Sequence, residues 1–198
     1  MAAIFQSLER TIIASIVLLV AIIVVGGLVS GQFVRPDFVW WTFAMRWLHV
    51  LSGVMWIGIL WYFNFVQIPT VPRIEPVEHR AAITKYIAPS ALFWFRWAAL
   101  ATVVTGLLLA WMNGYLIQAL TFQKGTFAIG LGMWLALIMA FNVWFIIWPN
   151  QQKALGLVPA EPDAKAKAAR LAMLTSRFNT MLSVPMLYLM VAQSHGGL

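Results

Sequence analysis

Five long apolar runs, separated by polar loops, constrain this chain more than any other feature. They cover roughly 11–31 ("TIIASIVLLVAIIVVGGLVSG"), 39–66, 91–112 ("ALFWFRWAALATVVTGLLLAWM"), 127–148 ("FAIGLGMWLALIMAFNVWFIIW") and 176–195 ("SRFNTMLSVPMLYLMVAQSH"). Each approaches or exceeds the roughly 20 residues that carry a helix across about 30 Å of hydrocarbon. An isolated strand cannot satisfy its backbone in lipid, so each run is read as a helix. The fold expected is all-α: an integral membrane helical bundle with five transmembrane helices, in a single transmembrane domain over 1–198. The first run lacks a small-residue cleavage site and is expected to stay as an uncleaved helix. Only 10% of residues are charged, against roughly a quarter in a soluble domain.

Charge placement sets an orientation. One side of the expected topology collects Arg10, Arg73, Arg80, Lys85, Arg96, Lys153, Lys165, Lys167, Arg170 and Arg177. The other holds only Arg35, Arg46 and Lys124. The positive-inside rule then places the N-terminus inside and the C-terminus outside. The same asymmetry accounts for the formal net charge of +7 without nucleic-acid binding. The expected setting is a bacterial inner (cytoplasmic) membrane, with the lipid bilayer as the first partner.

Two loops carry structure of their own. Residues 68–86 begin with proline-rich turns and end, from Glu75, in a short interfacial helix. Residues 162–175 are alanine-rich with Asp163 in the first turn, which predicts a cytoplasmic helix running directly into the fifth span. Leu171, Leu174 and Phe178 fall on one side of it, to face membrane or protein. Pro185 interrupts the fifth span.

All six acids, Glu9, Asp37, Glu75, Glu78, Glu161 and Asp163, lie outside the spans. That argues against a proton relay built on carboxylates. The absence of cysteine excludes disulfides, thiolate metal sites and covalent haem attachment through thioethers. Asn142, Asn179 and Thr180 are read as bonds across helices. "GLG" at 130–132 and Thr105–Gly106 permit close helix approach. The methionines are scattered, which favours packing over a copper site.

His49 is the deepest ionisable residue, about ten residues from the outer end of the second span and so roughly 13–15 Å down at 1.5 Å per residue. Arg46 stands one turn above it, Gly53 one turn below, and Trp56 continues the face. Two readings are open. In one, His49 ligates a haem, Gly53 makes room for the macrocycle and Arg46 pairs with a propionate. In the other, His49 bonds to a neighbouring helix and Arg46 snorkels to the interface. His195 ends the fifth span on the same outer side and is the candidate second ligand to the haem iron. His79, between Glu78 and Arg80, is read as a solvated surface residue.

"RWLHVLSGVMWIGILWYF", "LFWFRWAALATVVTGLLL", "NVWFIIWPNQQKALG" and "SRFNTMLSVPMLYLMVAQSH" together resemble the membrane domain of PuuD-type urate oxidases (urate hydroxylases), the urate oxidase N-terminal family. The resemblance covers the second to fifth runs. It implies a membrane helical bundle and carries over His49 and His195. Family members are larger, with more membrane helices, and usually end in a c-type cytochrome domain. This chain is expected to be a short form without that domain, and it has Phe93 in "LFWFRW" where the longer proteins have a histidine.

The leading functional expectation is a small b-type cytochrome. It would hold haem b through His49 and His195 with Arg46, Gly53 and Trp56 around it. Electrons would pass between quinol or a membrane partner and an outer-side acceptor such as a c-type cytochrome. As an enzyme it would then be an electron-transfer component of an oxidoreductase, with no catalytic residue assigned. The alternatives are a cofactor-free accessory subunit of a larger respiratory or photosynthetic complex, packed on other membrane subunits, and urate oxidation of the PuuD type.

Overall fold

The computed structural model describes residues 2–197. The main elements are α1 (Leu8–Ser30), α2 (Phe38–Arg73), α3 (Val77–Met112), the short α4 (Leu116–Leu120), α5 (Phe127–Ala154) and α6 (Pro162–His195). Among the described residues there is no strand. Among the described residues, helices α1, α2, α3 and α5 are the four long and apolar enough to cross a membrane. The fifth apolar run is the C-terminal part of α6, where Arg177, Asn179, Thr180, Ser183 and Gln193 dilute it.

The loop expected at 68–86 is mostly helix. Helix α2 continues to Arg73 and α3 begins at Val77. The alanine-rich segment and the fifth run form one helix of 34 residues. Pro162 stands at its start, where a missing N–H costs nothing, and Asp163 lies in its first turn. Pro185 lies inside the helix without ending it.

The chain divides into two compact units, Met1–Ala44 and Met45–Leu198. In the first, Gly31 ends α1 with a left-handed φ of 69°, a conformation glycine adopts without penalty. The chain then turns so that Phe33 lies against Gly27, where a Cβ would stand 2.9 Å from the ring. The Asp37 carboxylate accepts the backbone N–H of Trp40 at 2.9 Å and caps α2.

The second unit is a helical bundle with its core between α2, α3, α5 and α6. Trp56 and Leu60 from α2, Phe95 and Ala99 from α3, Met139 and Val143 from α5, and Met186 from α6 are buried together. Helix α6 turns small residues inward: Ala168, Ala172, Ser176, Asn179 and Ser183 are buried at three- and four-residue spacing. Leu171, Leu174 and Phe178 stay exposed on the outer side.

Three widened, π-helical turns interrupt the long helices, at Tyr62–Gln67, Ile83–Ile87 and Asn142–Ile147. Each ends two residues before a proline: Pro69, Pro89 and Pro149. A proline has no N–H to give the carbonyl four residues back, and its ring crowds that carbonyl. A wider turn relieves the crowding while the helix continues. Two of these turns also present asparagines to α6. Asn64 Nδ2 donates to Ser176 Oγ at 2.8 Å, and Asn142 Nδ2 donates to Asn179 Oδ1 at 2.8 Å. Asn179 Nδ2 in turn donates to the Met139 carbonyl at 2.9 Å, and Trp61 Nε1 donates to Ser183 Oγ at 3.0 Å.

Candidate functional site

A cavity of about 890 Å³ opens in the second unit, within the roughly 300–1,000 Å³ of small-molecule and cofactor sites. Arg46, His49, Gly53 and Trp56 line it from α2, and His195 lines it from α6. The five residues singled out from the sequence therefore border one space, although 146 positions separate His49 from His195 (195 − 49).

His49 is held by α3. Its Nδ1 lies 2.9 Å from the Thr102 carbonyl oxygen and 3.3 Å from Thr105 Oγ1. A carbonyl only accepts, so Nδ1 carries the proton and donates. The lone pair then sits on Nε2, which has no hydrogen-bond partner among the described residues. Helix α3 is tightly apposed here. A Cβ on Gly106 would stand 2.7 Å from His49 Cε1 and 3.1 Å from Nδ1. Any side chain at 106 would push the imidazole away.

His195 repeats the arrangement on a single helix. Its Nδ1 donates to the Val191 carbonyl at 3.0 Å, one turn back, and leaves Nε2 as the ring's acceptor. It is exposed, whereas His49 is partly buried.

Among the described residues, Arg46 is the only Lys or Arg on the cavity wall. It is exposed and makes no ion pair among the described residues. Its charge reaches Tyr115, in the connection between α3 and α4. Burial pushes the Tyr115 phenol above its ordinary pKa, and the Arg46 charge opposes that shift. Arg46, Tyr115, Gln193, Ser194 and His195 are polar residues of the cavity wall. Ile57, Ala136 and Met186 make the rest of it apolar. Gln193 also fixes the end of α6: its Oε1 accepts the Ile129 N–H at 3.2 Å and its Nε2 donates to the Gly125 carbonyl at 2.7 Å.

Gly53 borders the cavity openly, since a Cβ there would meet only Thr102 Cγ2, at 3.8 Å. Trp56 is fully buried, and its indole Nε1–H has no acceptor among the described residues. An orphaned buried donor in the wall of a cavity is a feature that a bound acceptor would relieve. Sequence reasoning missed Thr102 and the contact of Gly106 with His49. The signal present was the Thr105–Gly106 pair, which indicated close approach without naming what approached. No group of three or more His, Asp or Glu stands together among the described residues.

Phe93 lies on a different face of α3, in edge contact with Trp94 at 5.6 Å between ring centroids, and is exposed. His79 is in the short turn that opens α3 and is exposed.

No curated protein and no solved structure matches the chain. The family model described as urate oxidase N-terminal matches residues 112–197. The matched stretch contributes Tyr115, Met186, Gln193 and His195 to the cavity, while Arg46, His49 and Trp56 lie before it. The match spans α4, α5 and α6, less than half of the chain, and over those residues the chain is similar to the urate oxidase N-terminal family.

Proposed function

We propose that this chain is the membrane part of a urate-oxidase-type oxidoreductase, and that the cavity is its redox site. The observation that carries the reading is the cavity itself: two histidines with uncommitted Nε2 atoms and one unpaired arginine line it. Part of its wall comes from the family-matched segment.

The residues fit a haem b in kind. Each histidine donates Nδ1–H to a carbonyl, which fixes the tautomer that offers Nε2 to a metal. The walls are largely apolar, and Trp56 Nε1–H is an unused donor. His49 and His195 would hold its iron, and Arg46 would pair with a propionate. Bound there, the group supplies one-electron transfer. Thr102 and Gly106 keep the His49 ring in place, and Gln193 holds the helix end that carries His195.

Electron carriage without urate chemistry is the second reading. It rests on the same histidine pair, with quinol or a membrane partner as donor and a c-type cytochrome as acceptor. The accessory-subunit reading draws on α1, whose aliphatic side chains are exposed apart from the half-buried Ala14.

We also propose that residues 176–195 cross the bilayer as a fifth span, with the N-terminus inside and the C-terminus outside. The ten-to-three division of basic residues supports this orientation. A bacterial cytoplasmic membrane is the setting that fits it.

The test is a reduced-minus-oxidised visible spectrum of the full chain purified with its natural partners, before and after urate. Urate-dependent reduction of b-type bands supports the first reading. Bands that urate does not reduce favour the electron carrier. No b-type bands under ample haem supply reject the haem site and leave the accessory-subunit reading.

A further inference from the structure

A second site on α3 centres on Arg96, which does not line the histidine cavity. The Arg96 guanidinium carbon sits 3.3 Å from the Trp148 ring centroid and 5.8 Å from that of Trp144. Its Nε–H donates to the Leu92 carbonyl at 3.2 Å. The other four guanidinium N–H groups have no partner among the described residues. No carboxylate can reach them from within a span, because all six acids lie outside the apolar runs. The site is therefore a fixed positive charge with its hydrogen-bonding edge uncommitted.

An apolar groove of about 380 Å³ has Trp144 in its wall, the ring 5.8 Å from the Arg96 guanidinium. Leu100 and Val103 of α3 form one wall, and Leu137, Phe141, Trp144 and Phe145 of α5 form the other. Leu100 is one helical turn from Arg96, and Trp144 is one turn from Trp148. The groove thus runs from the arginine along both helices toward the other end of the span. The widened turn at Asn142–Ile147 belongs to the same wall. Trp97 closes edge-on against Trp144, at 5.5 Å between centroids.

We propose that this surface is a binding site for one anionic phospholipid, with its phosphate on Arg96 and an acyl chain in the groove. The charge decides the occupant. A planar guanidinium stacked on an indole keeps its edge free for the oxygens of a phosphate. The groove supplies an apolar bed and no polar group beyond Trp144, which suits an acyl chain. The wall residues Leu100, Phe141 and Phe145 are themselves exposed at the surface of the spans, where lipid is the neighbour.

Native mass spectrometry of the full chain tests this, with phosphatidylglycerol and phosphatidylcholine of matched acyl chains as probes. Wild type should retain phosphatidylglycerol about fivefold over phosphatidylcholine, the preference one arginine near a membrane surface confers. Arg96→Gln should bring the ratio to about one, and Arg96→Lys should keep part of it. Equal retention of both lipids by wild type overturns the proposal, as does an undiminished preference in Arg96→Gln. Inorganic phosphate that displaces phosphatidylglycerol at equal concentration would also overturn it, by showing a simple anion site. Should Arg96→Gln fail to fold, thermal unfolding of wild type decides: phosphatidylglycerol must raise the midpoint more than phosphatidylcholine.

Discussion

His49 Nδ1 lies 2.9 Å from the Thr102 carbonyl oxygen of the neighbouring helix. That one bond sets the protonation of the ring: the proton stays on Nδ1, and Nε2 is free to act as a ligand. The bond exists because Gly106 lets the ring lie against α3.

Gly106→Ala is therefore expected to displace the imidazole, since its Cβ would stand 2.7 Å from Cε1. With haem b in the cavity as proposed, haem retained per chain should fall by about 10–100-fold, as for other lost supports of a metal ligand. His49→Ala should remove the haem, and Arg46→Ala should retain it at a lower potential. Pyridine haemochrome assay and redox titration read these outcomes. Full haem retention in Gly106→Ala would show that the ring's position against α3 is irrelevant to the site.

The Asn142–Asn179 pair joins α5 to α6 in the buried core. Asn142→Leu and Asn179→Leu should each destabilise the bundle, because each leaves the partner amide short of a bond. The double variant should cost less than the sum. A double-mutant cycle on unfolding in detergent should give a coupling of roughly 0.6–2 kcal/mol. Strict additivity would show that the two amides act independently.

Tyr115 gives the fold a sensitivity to alkali. Burial favours the neutral phenol and raises its pKa, against a smaller opposing effect of Arg46. The folded-state pKa is above the unfolded value. The stabilisation is complete below the unfolded pKa of about 10 and is lost as pH rises through the folded one. Tyr115→Phe should thus lose less stability than wild type above pH of about 10. Arg46→Gln should move the Tyr115 ionisation further up in a phenolate absorbance titration. A downward shift would mean that Arg46 does not act on this tyrosine.

The proposed topology predicts opposite behaviour of two C-terminal fusions. A reporter active only outside the cytoplasm should work after Leu198, and one active only inside should fail. The reverse result would place His195 on the inner side and exclude it as a partner for an outer-side acceptor.

The sequence by itself determined that the chain is helical and membrane-embedded. Long apolar runs need a structure that satisfies the backbone within each segment, and only a helix does so. It also marked the costly polar groups within those runs, and so pointed to His49, Arg46 and His195 before any neighbour was known. Tertiary structure decided what stands opposite each of them. A helix that buries alanine, serine and asparagine carries little apolar signal of its inward face. For that reason the small-residue seam of α6 was hidden, and Leu171 and Leu174 gave no indication that Ala168 and Ala172 would be the buried pair. The widened turns before Pro69, Pro89 and Pro149 were hidden as well, because they depend on how each helix absorbs a missing N–H. The same limit applies to Thr102 and Gly106: only the rotation of α3 against α2 brings them to His49, and that rotation is set by packing between helices.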